Sequence, residues 1–282
     1  MNVISIQSEV IYGHVGNAAA RFALQRLGHE VWGVPTVLLT SHAAHPGVTG
    51  EATSPALLGK LFAGLEAQGR LREADAIVSG YLGSPEQAAL VAALVSRAKA
   101  ANPKLLYCLD PAFGDDGRIY ARPGVAEAMG KTLLPLADLV TPNAFELSVL
   151  AGRPVADAES AALAADLLQR PLVVAKSVPV EGRIGTLTTI NGHVWVAATP
   201  IVPHAPRGAG DLFAALFFGH YLKGALTAEA LDLATRAVYH VLAQSDGEPE
   251  MRLIAEQEAL VRPPQPAGYS FGPIETGARA HG

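Results

Sequence analysis

Cysteine is almost missing from this chain: Cys108 is the one thiol in 282 residues. No intramolecular disulfide can form, so the fold must be held by its core, and a thiol set inside "KLLYCLD" reads as inert, buried and reduced. Positive charge is not in excess either. There are 21 Lys and Arg against 26 Asp and Glu, a formal net charge of -5, and no basic cluster, which argues against a nucleic-acid surface. No apolar run reaches the length of about 18 residues that a membrane span needs. The start "MNVISIQSE" has neither the basic head nor the apolar stretch of a secretory signal. A soluble, cytoplasmic protein is expected. Two nucleotide-binding signatures are missing as well. No G-x-x-x-x-G-K-[ST] occurs, and Gly13 and Gly16 do not make G-x-G-x-x-G. Any ATP must be held by another architecture.

What is present alternates. Half of the residues are hydrophobic, ample for a large core. "NVISI" predicts a strand, and residues 15–27 a helix closed by Gly28. "EVWGVPTVLLT" is extended, with Pro35 pointing to an edge or a bent flap. Ser54 and Pro55 open a helix over 54–68, with Leu57, Leu58, Leu61, Phe62 and Leu65 on its predicted buried face. "DAIVSGY" is a strand running into a loop. Ser84 and Gln87 form a candidate capping box for a helix that buries Leu90, Val91, Leu94 and Val95. "KLLYCLD", "DLVT" and "PLVVAKS" are further strands, with a helix near 157–168 before the last. Asn191-Gly192 marks a hairpin, and helices follow Asp211 and span about 227–243. Such alternation predicts a mainly parallel sheet with helices on both faces. Ligands then sit beyond the carboxyl ends of the strands, where Gln7, Ser8, Tyr81, Asp110, Thr141, Asn143, Lys176 and Ser177 fall.

Four stretches carry possible chemistry. In "HAPRGAGDLFAALFFGHYL", residues 204–222, Asp211 is either a helix cap or the carboxylate at the edge of an anion cradle made by Gly208, Ala209 and Gly210. In "TPNAFE", Asn143 and Glu146 share a helix face; they either serve a hydrated Mg²⁺ on phosphates or close a capping box. "LDPAFGDDGRIY" puts Asp110 at a strand tip, where a carboxylate can organise metal or phosphate, followed by a turn at Asp115, Asp116 and Gly117. Lys176 is either a point charge for a triphosphate or a solvated lysine.

Taken together and in order, "SIQSEVIYGHVGNAAA", "TVLLTSH", "GYLGSPEQ", "DPAFGDDGRIY", "TPNAFE" and "GAGD" resemble the pyridoxal kinases, the vitamin B6 kinase branch of the ribokinase-like superfamily. The resemblance implies a three-layer α/β fold with a small β flap over the substrate site. It covers one kinase domain, residues 1–261, and leaves 262–282, rich in Pro and Gly, as a loosely ordered tail. It implies ATP-dependent phosphorylation of the 5′-hydroxymethyl group of pyridoxal, with pyridoxine and pyridoxamine as further substrates. Ser8, Thr36 and Tyr81 would hold the vitamin. Asp110, Asn143, Glu146 and Lys176 would serve ATP, with Asp110 and Glu146 toward Mg²⁺, and Ser177 and Tyr120 as lesser candidates near the nucleotide. Gly208, Ala209 and Gly210 would form the anion hole and Asp211 would be the base, a carboxylate expected to stay ionised beside those amides. A monovalent cation such as K⁺ and a homodimer are also implied. Glu9 and "LLTSHAAHPG" depart from the family pattern beside the expected vitamin pocket and bear on substrate choice. Two alternatives stand: a hydroxymethylpyrimidine kinase of the same fold, where Cys commonly replaces Asp211, and a vitamin B6 binding protein without chemistry.

Overall fold

A computed structural model describes residues 1–274. The strands are β1 (Asn2–Val10), β2 (Glu30–Leu39), β3 (Gly50–Ala52), β4 (Ala76–Ser79), β5 (Leu106–Leu109), β6 (Gly114–Asp115), β7 (Arg118–Ile119), β8 (Leu139–Val140), β9 (Leu172–Val180), β10 (Arg183–Ile190), β11 (His193–Thr199) and β12 (Ser270–Ile274). The helices are α1 (Asn17–Arg26), α2 (Pro55–Ala67), α3 (Arg70–Glu73), α4 (Pro85–Ala101), α5 (Val125–Ala128), α6 (Ala144–Ala151), α7 (Ala158–Leu167), α8 (Ala209–Leu222) and α9 (Thr227–Ala243).

Ten strands form one sheet in the order β12-β11-β10-β9-β8-β5-β4-β1-β2-β3, and β6 and β7 form a separate hairpin. The run from β2 to β9 is parallel throughout, while β3 and the β10–β12 end are antiparallel. The chain starts in mid-sheet at β1, steps outward to β2, then returns to β4 on the other side. That reversal opens a crevice beyond the carboxyl ends of β1 and β4. Ser8 and Tyr81 stand there.

Helices cover both faces. Phe213, Phe217 and Phe218 of α8 pack with Leu24 of α1 and Leu231 of α9 on one side; Leu58 and Phe62 of α2 pack with Val91, Leu94 and Val95 of α4 on the other. At Gly219 a Cβ would collide with Leu27, so α1 and α8 lie in close contact. That brings their N-termini together.

Most of the predicted elements are present: Asn191 and Gly192 turn the β10–β11 hairpin with φ of 51° and 82°, and Ser54 Oγ accepts from Leu57 N at 3.2 Å. Pro35 lies within a continuous strand, opposite Gln7, where the β1–β2 register shifts and β3 has not yet paired on the outer side. Four readings change. Leu57 and Leu61 are 49% and 40% exposed, so the buried stripe of α2 is narrower than its sequence pattern. Residues 270–274 of the expected loose tail pair with β11 as β12; 275–282 lie outside the described residues. Thr36 is fully buried, its hydroxyl donating to Tyr81 O at 2.6 Å. Ser84 makes no side-chain cap on α4.

Gln87 has a different task from capping. Buried at the start of α4, it accepts from Gly83 N at 2.8 Å and donates to Thr36 O and Thr53 O at 2.9 and 2.8 Å, so it ties β2 and the segment after β3 to the Tyr81 loop. Removing it strands buried backbone groups. Gln87→Ala is expected to cost about 2–3 kcal/mol of stability, read as a lowered denaturant midpoint at unchanged slope.

Candidate active site

The crevice continues into a cavity of about 630 Å³, the size of a small-molecule site. Its walls include Ser8, Tyr81, Asp110, Asn143, Glu146, Lys176, Ser177, Gly208, Ala209, Gly210 and Asp211, which the sequence scatters over 204 positions and the sheet gathers at one end. Val10, Val37, Leu39 and His42 line the flap side; Ile184, Val202, Val238 and Leu242 line the far side. Asp110, Lys176 and Asp211 line the same cavity.

Asp211 is not a cap. Gly208 occupies the N-cap of α8 at φ 104°, a left-handed geometry in which a Cβ would run into His14 O. The first intrahelical bond is Leu212 N to Gly208 O at 3.0 Å, so the amides of Ala209, Gly210 and Asp211 have no helical acceptor. Asp211 instead accepts from Gly16 N at 2.8 Å through Oδ2. Gly16 is the N-cap of α1, so two helix N-termini converge on the cavity. Their aligned amides favour a bound anion. Gly16 is the residue that sequence reading missed: its role is a backbone N–H and a close approach, since a Cβ there would collide with Ser8 Oγ and Ser8 O.

Lys176 is held in place by a bulge. Val178 pairs with Gly185 and Ala175 with Leu187, so Lys176 and Ser177 together face Thr186. Ser177 sits at φ 55°, an uncommon geometry for a residue with a Cβ, and Ala112 at φ 44° repeats it across the cavity. Lys176 Nζ donates to Asp110 Oδ1 at 2.5 Å and to Gly210 O at 3.2 Å. Asp110 Oδ1 also accepts from Thr141 Oγ1 at 2.9 Å. A Cβ on Gly210 would stand 3.2 Å from Nζ, so the glycine leaves room for the ammonium.

At "TPNAFE" the capping box is real. Asn143 Oδ1 accepts from Glu146 N and Glu146 Oε2 accepts from Asn143 N, both at 2.9 Å. Glu146 goes further, because Oε1 accepts from Phe113 N at 2.9 Å while Asn143 Nδ2 donates to Gly114 O at 2.8 Å. Both residues therefore root the β6–β7 hairpin. The expectation that Glu146 ligates a metal directly fits this geometry less well than a positioning role, since both its oxygens already hold backbone amides. Asp110 takes its protein bonds on Oδ1 alone, which leaves Oδ2 for a cation carried in on phosphates. Among the described residues no group of three His, Cys, Asp or Glu is gathered for a metal. That donor set fits Mg²⁺, which takes one or two carboxylates and completes its shell with phosphate and water.

The remaining expectations sort by position. Tyr81 and Tyr120 both line the cavity and stack with centroids 6.3 Å apart. Thr36 lies behind the wall, supporting the Tyr81 loop without reaching the cavity. Glu9 also lies off the lining; Arg21 of α1 binds it at 3.3 Å. The flap is held from outside, with His45 Nε2 2.6 Å from Glu250 Oε1 and Glu250 Oε2 accepting from His14 N at 3.0 Å.

Carboxylates crowd this space. Burial first, then Asp110, pushes Asp211 up to about 6, against the downward pull of Gly16 N–H and Lys176. The expectation of an easily ionised carboxylate is thus corrected: the desolvated carboxylate outweighs the amides. Burial and Asp110 likewise lift Glu146 to about 7. Burial alone would lower Lys176, but Asp110, Glu146 and Asp211 reverse that and hold the ammonium above its ordinary value. Because the folded pKa of Asp211 exceeds the unfolded value of about 4, the native state binds the extra proton, and its stability falls as pH rises from there toward about 6. Asp211→Asn removes that charge. The variant is expected to melt above the wild type at pH 7.5, with the gap closing near pH 4, as scanning calorimetry at the two pH values would read.

The family model described as phosphomethylpyrimidine kinase matches residues 63–250. A pyridoxal kinase PdxY of Rubrobacter xylanophilus is 40% identical over 275 residues, covering 94% of this chain and 95% of its own. The Deinococcus radiodurans pyridoxal kinase PdxY is 39% identical over 279 residues, with 93% of each chain covered. Among solved structures, the Leishmania donovani pyridoxal kinase in complex with ADP and pyridoxamine superposes with a TM-score of 0.89 at 29% identity over 97% of this chain and 99% of that one. A chain that matches the family model over most of its length, and curated relatives almost end to end, belongs to the pyridoxal kinase family.

Proposed function

We infer that this chain is an ATP-dependent kinase that phosphorylates the 5′-hydroxymethyl group of pyridoxal to give pyridoxal 5′-phosphate, and that pyridoxine and pyridoxamine are further substrates. One observation carries the reading: Asp211, fixed by Gly16 N–H, stands beside the free amides of α8 and lines the cavity. A base and an anion hole are adjacent.

In the mechanism, the vitamin lies at the flap side of the cavity against Ser8 and Tyr81, with its alcohol toward Asp211. Asp211 accepts the hydroxyl proton as that oxygen attacks the terminal phosphorus of ATP. A carboxylate near 6 is well matched to that task at neutral pH. The amides of Ala209, Gly210 and Asp211, at the positive end of α8, stabilise the charge that gathers on the transferring oxygens. Lys176, pinned by Asp110 beside Gly210, adds a positive field without needing to move. Phosphoryl transfer asks for this alignment and field rather than for covalent chemistry. Asp110, through Oδ2, would hold Mg²⁺, which would supply positive charge against the phosphates. Glu146 and Asn143 act through the hairpin they hold, and Ser177 lies at the nucleotide side. K⁺ remains part of the proposal through family resemblance.

Glu9 is occupied by Arg21 away from the lining, so the flap is left as the part of the pocket that differs from the family pattern. Asp211 in place of the cysteine common in hydroxymethylpyrimidine kinases favours the vitamin. The assembled base, ammonium and amides disfavour a carrier without chemistry. A homodimer is supported by Leu38, Leu57 and Leu61, which stay exposed on β2 and α2. None of the helices among the described residues is long and apolar enough to cross a membrane; a cytoplasmic setting is proposed from the single buried thiol.

The test is coupled ADP release with Mg-ATP and each B6 vitamer, with hydroxymethylpyrimidine as competitor. Turnover with pyridoxal is expected, and Asp211→Ala is expected to bind both substrates while losing about two or more decades of kcat. Near wild-type kcat in that variant removes Asp211 from the mechanism. Preference for hydroxymethylpyrimidine turns the reading to the alternative.

A further inference from the structure

The cavity has a charge problem that the mechanism above leaves open. Five carboxylates line it, Asp110, Asp115, Asp116, Glu146 and Asp211, against three fixed cations, Arg118, Lys176 and Arg207. A triphosphate tail entering this space meets a surplus of negative charge. Lys176 lends its field beside Gly210, but its buried pair with Asp110 at 2.5 Å matches one of these carboxylates and leaves the others in surplus.

Arg207 is differently placed. It directly precedes Gly208, the N-cap of the amide cradle, and its side chain lines the cavity. A cation at a helix N-terminus opposes the helix dipole, so the position is unfavourable unless something negative is nearby. The structure supplies that partner from the hairpin across the cavity. Arg207 Nη1 lies 3.4 Å from Asp115 Oδ2 and Nη2 lies 3.5 Å from Asp116 Oδ2. Both contacts are long, one to each acid, with the Arg207 side chain half exposed. Such pairs contribute little and exchange at small cost. The carboxylates sit on a tip turned by Asp116 at φ 50° and Gly117 at φ 76°, while the hairpin base is fixed by Glu146 and Asn143. The field of Arg207 also reaches the flap: after burial, it is the next cause holding the His42 imidazole below its ordinary pKa. Its guanidinium therefore stands between the flap and the hairpin, at the rim of the cradle.

We propose that Arg207 is a further catalytic residue, a guanidinium parked on Asp115 and Asp116 that transfers to the terminal phosphate of ATP when the nucleotide enters. No covalent bond in the protein is made or broken in the exchange. Two weak ion pairs give way to one charge-assisted contact, for which the planar fork of Arg matches phosphate oxygens better than an ammonium does. The exchange also releases the hairpin tip to settle over the nucleotide. The proposal rests on the kinase reading of this site, but its test separates the two.

The experiment measures equilibrium binding of β,γ-imido-ATP and of ADP, each with Mg²⁺, to the full chain and to Arg207→Ala and Arg207→Lys. Because the side chain is half exposed and weakly paired, the variants are expected to melt with the wild type. Arg207→Ala is expected to lose about tenfold or more in affinity for β,γ-imido-ATP, the size of one charge-assisted contact, while ADP affinity and pyridoxal KM change little. Arg207→Lys should recover part of the loss, and kcat should fall in the same order. An equal loss for both nucleotides, or no loss for either, overturns the proposal. A wild type that discriminates the nucleotides through Arg207 yet leaves pyridoxal unphosphorylated keeps Arg207 in its role and removes the vitamin from the reading.

Discussion

A single hydrogen bond, from Gly16 N to Asp211 Oδ2 at 2.8 Å, joins the parts of this molecule that matter for its chemistry. It links the N-terminus of α1 to the first turn of α8, and through them the strand end that carries Ser8 to the glycine cradle. Nothing bulkier than glycine fits at position 16, because Ser8 already fills the place of a side chain. The packing behind it is equally tight, with Gly219 letting α1 and α8 approach. The proposed substrate pocket, base and anion hole are therefore placed by one helix pair. A shift in that pair moves all three.

The polar centre is built against its own preference. Asp110, Glu146 and Asp211 share a desolvated space with one fully committed ammonium, and the two most crowded carboxyls respond by holding their protons up to about 6 and 7. Ala112 and Ser177, both lining the cavity, take left-handed backbone conformations. Strain and charge crowding of this kind are tolerated where function needs them, at the expense of stability. In the proposed reading an incoming nucleotide changes the balance, since its phosphates would bring acceptors to the amides and a divalent cation carried with them would bring positive charge to the acids. The free enzyme thus has a site whose electrostatics are completed by what it binds.

Much of this was legible in the sequence, and the reasons differ by element. The doubly covered sheet followed from alternation, and the Asn191-Gly192 hairpin from local turn chemistry, both of which are set by neighbours in the chain. Part of the cavity followed from one rule, that α/β folds bind at the carboxyl ends of strands: of the residues it picks out, Ser8, Tyr81, Asp110, Asn143, Lys176 and Ser177 line the cavity, while Gln7 and Thr141 do not. What stayed hidden depended on contacts between distant segments. Gly16 acts through a backbone N–H, which leaves no side-chain signature. Gln87 looked like half of a capping box because the motif cannot show that its amide reaches Thr36 and Thr53 instead. Asp211 looked easily ionised because the cradle is local in sequence, while what opposes ionisation, burial first and then Asp110, comes from the tertiary fold. Thr36 was expected on the pocket wall, yet strand pairing turns it toward the Tyr81 carbonyl. The tail looked loose because its pairing partner, β11, is far upstream.

The account stands or falls on Asp211 being a buried base with a raised pKa, held ready by Gly16. The most direct measurement is the pH profile of turnover with pyridoxal and Mg-ATP both held far below their KM, which reports the free enzyme. A base that must be ionised predicts an acid limb falling tenfold per pH unit with an apparent pKa close to 6. A profile flat down to about pH 4.5, where an ordinary aspartate would still be ionised, contradicts it.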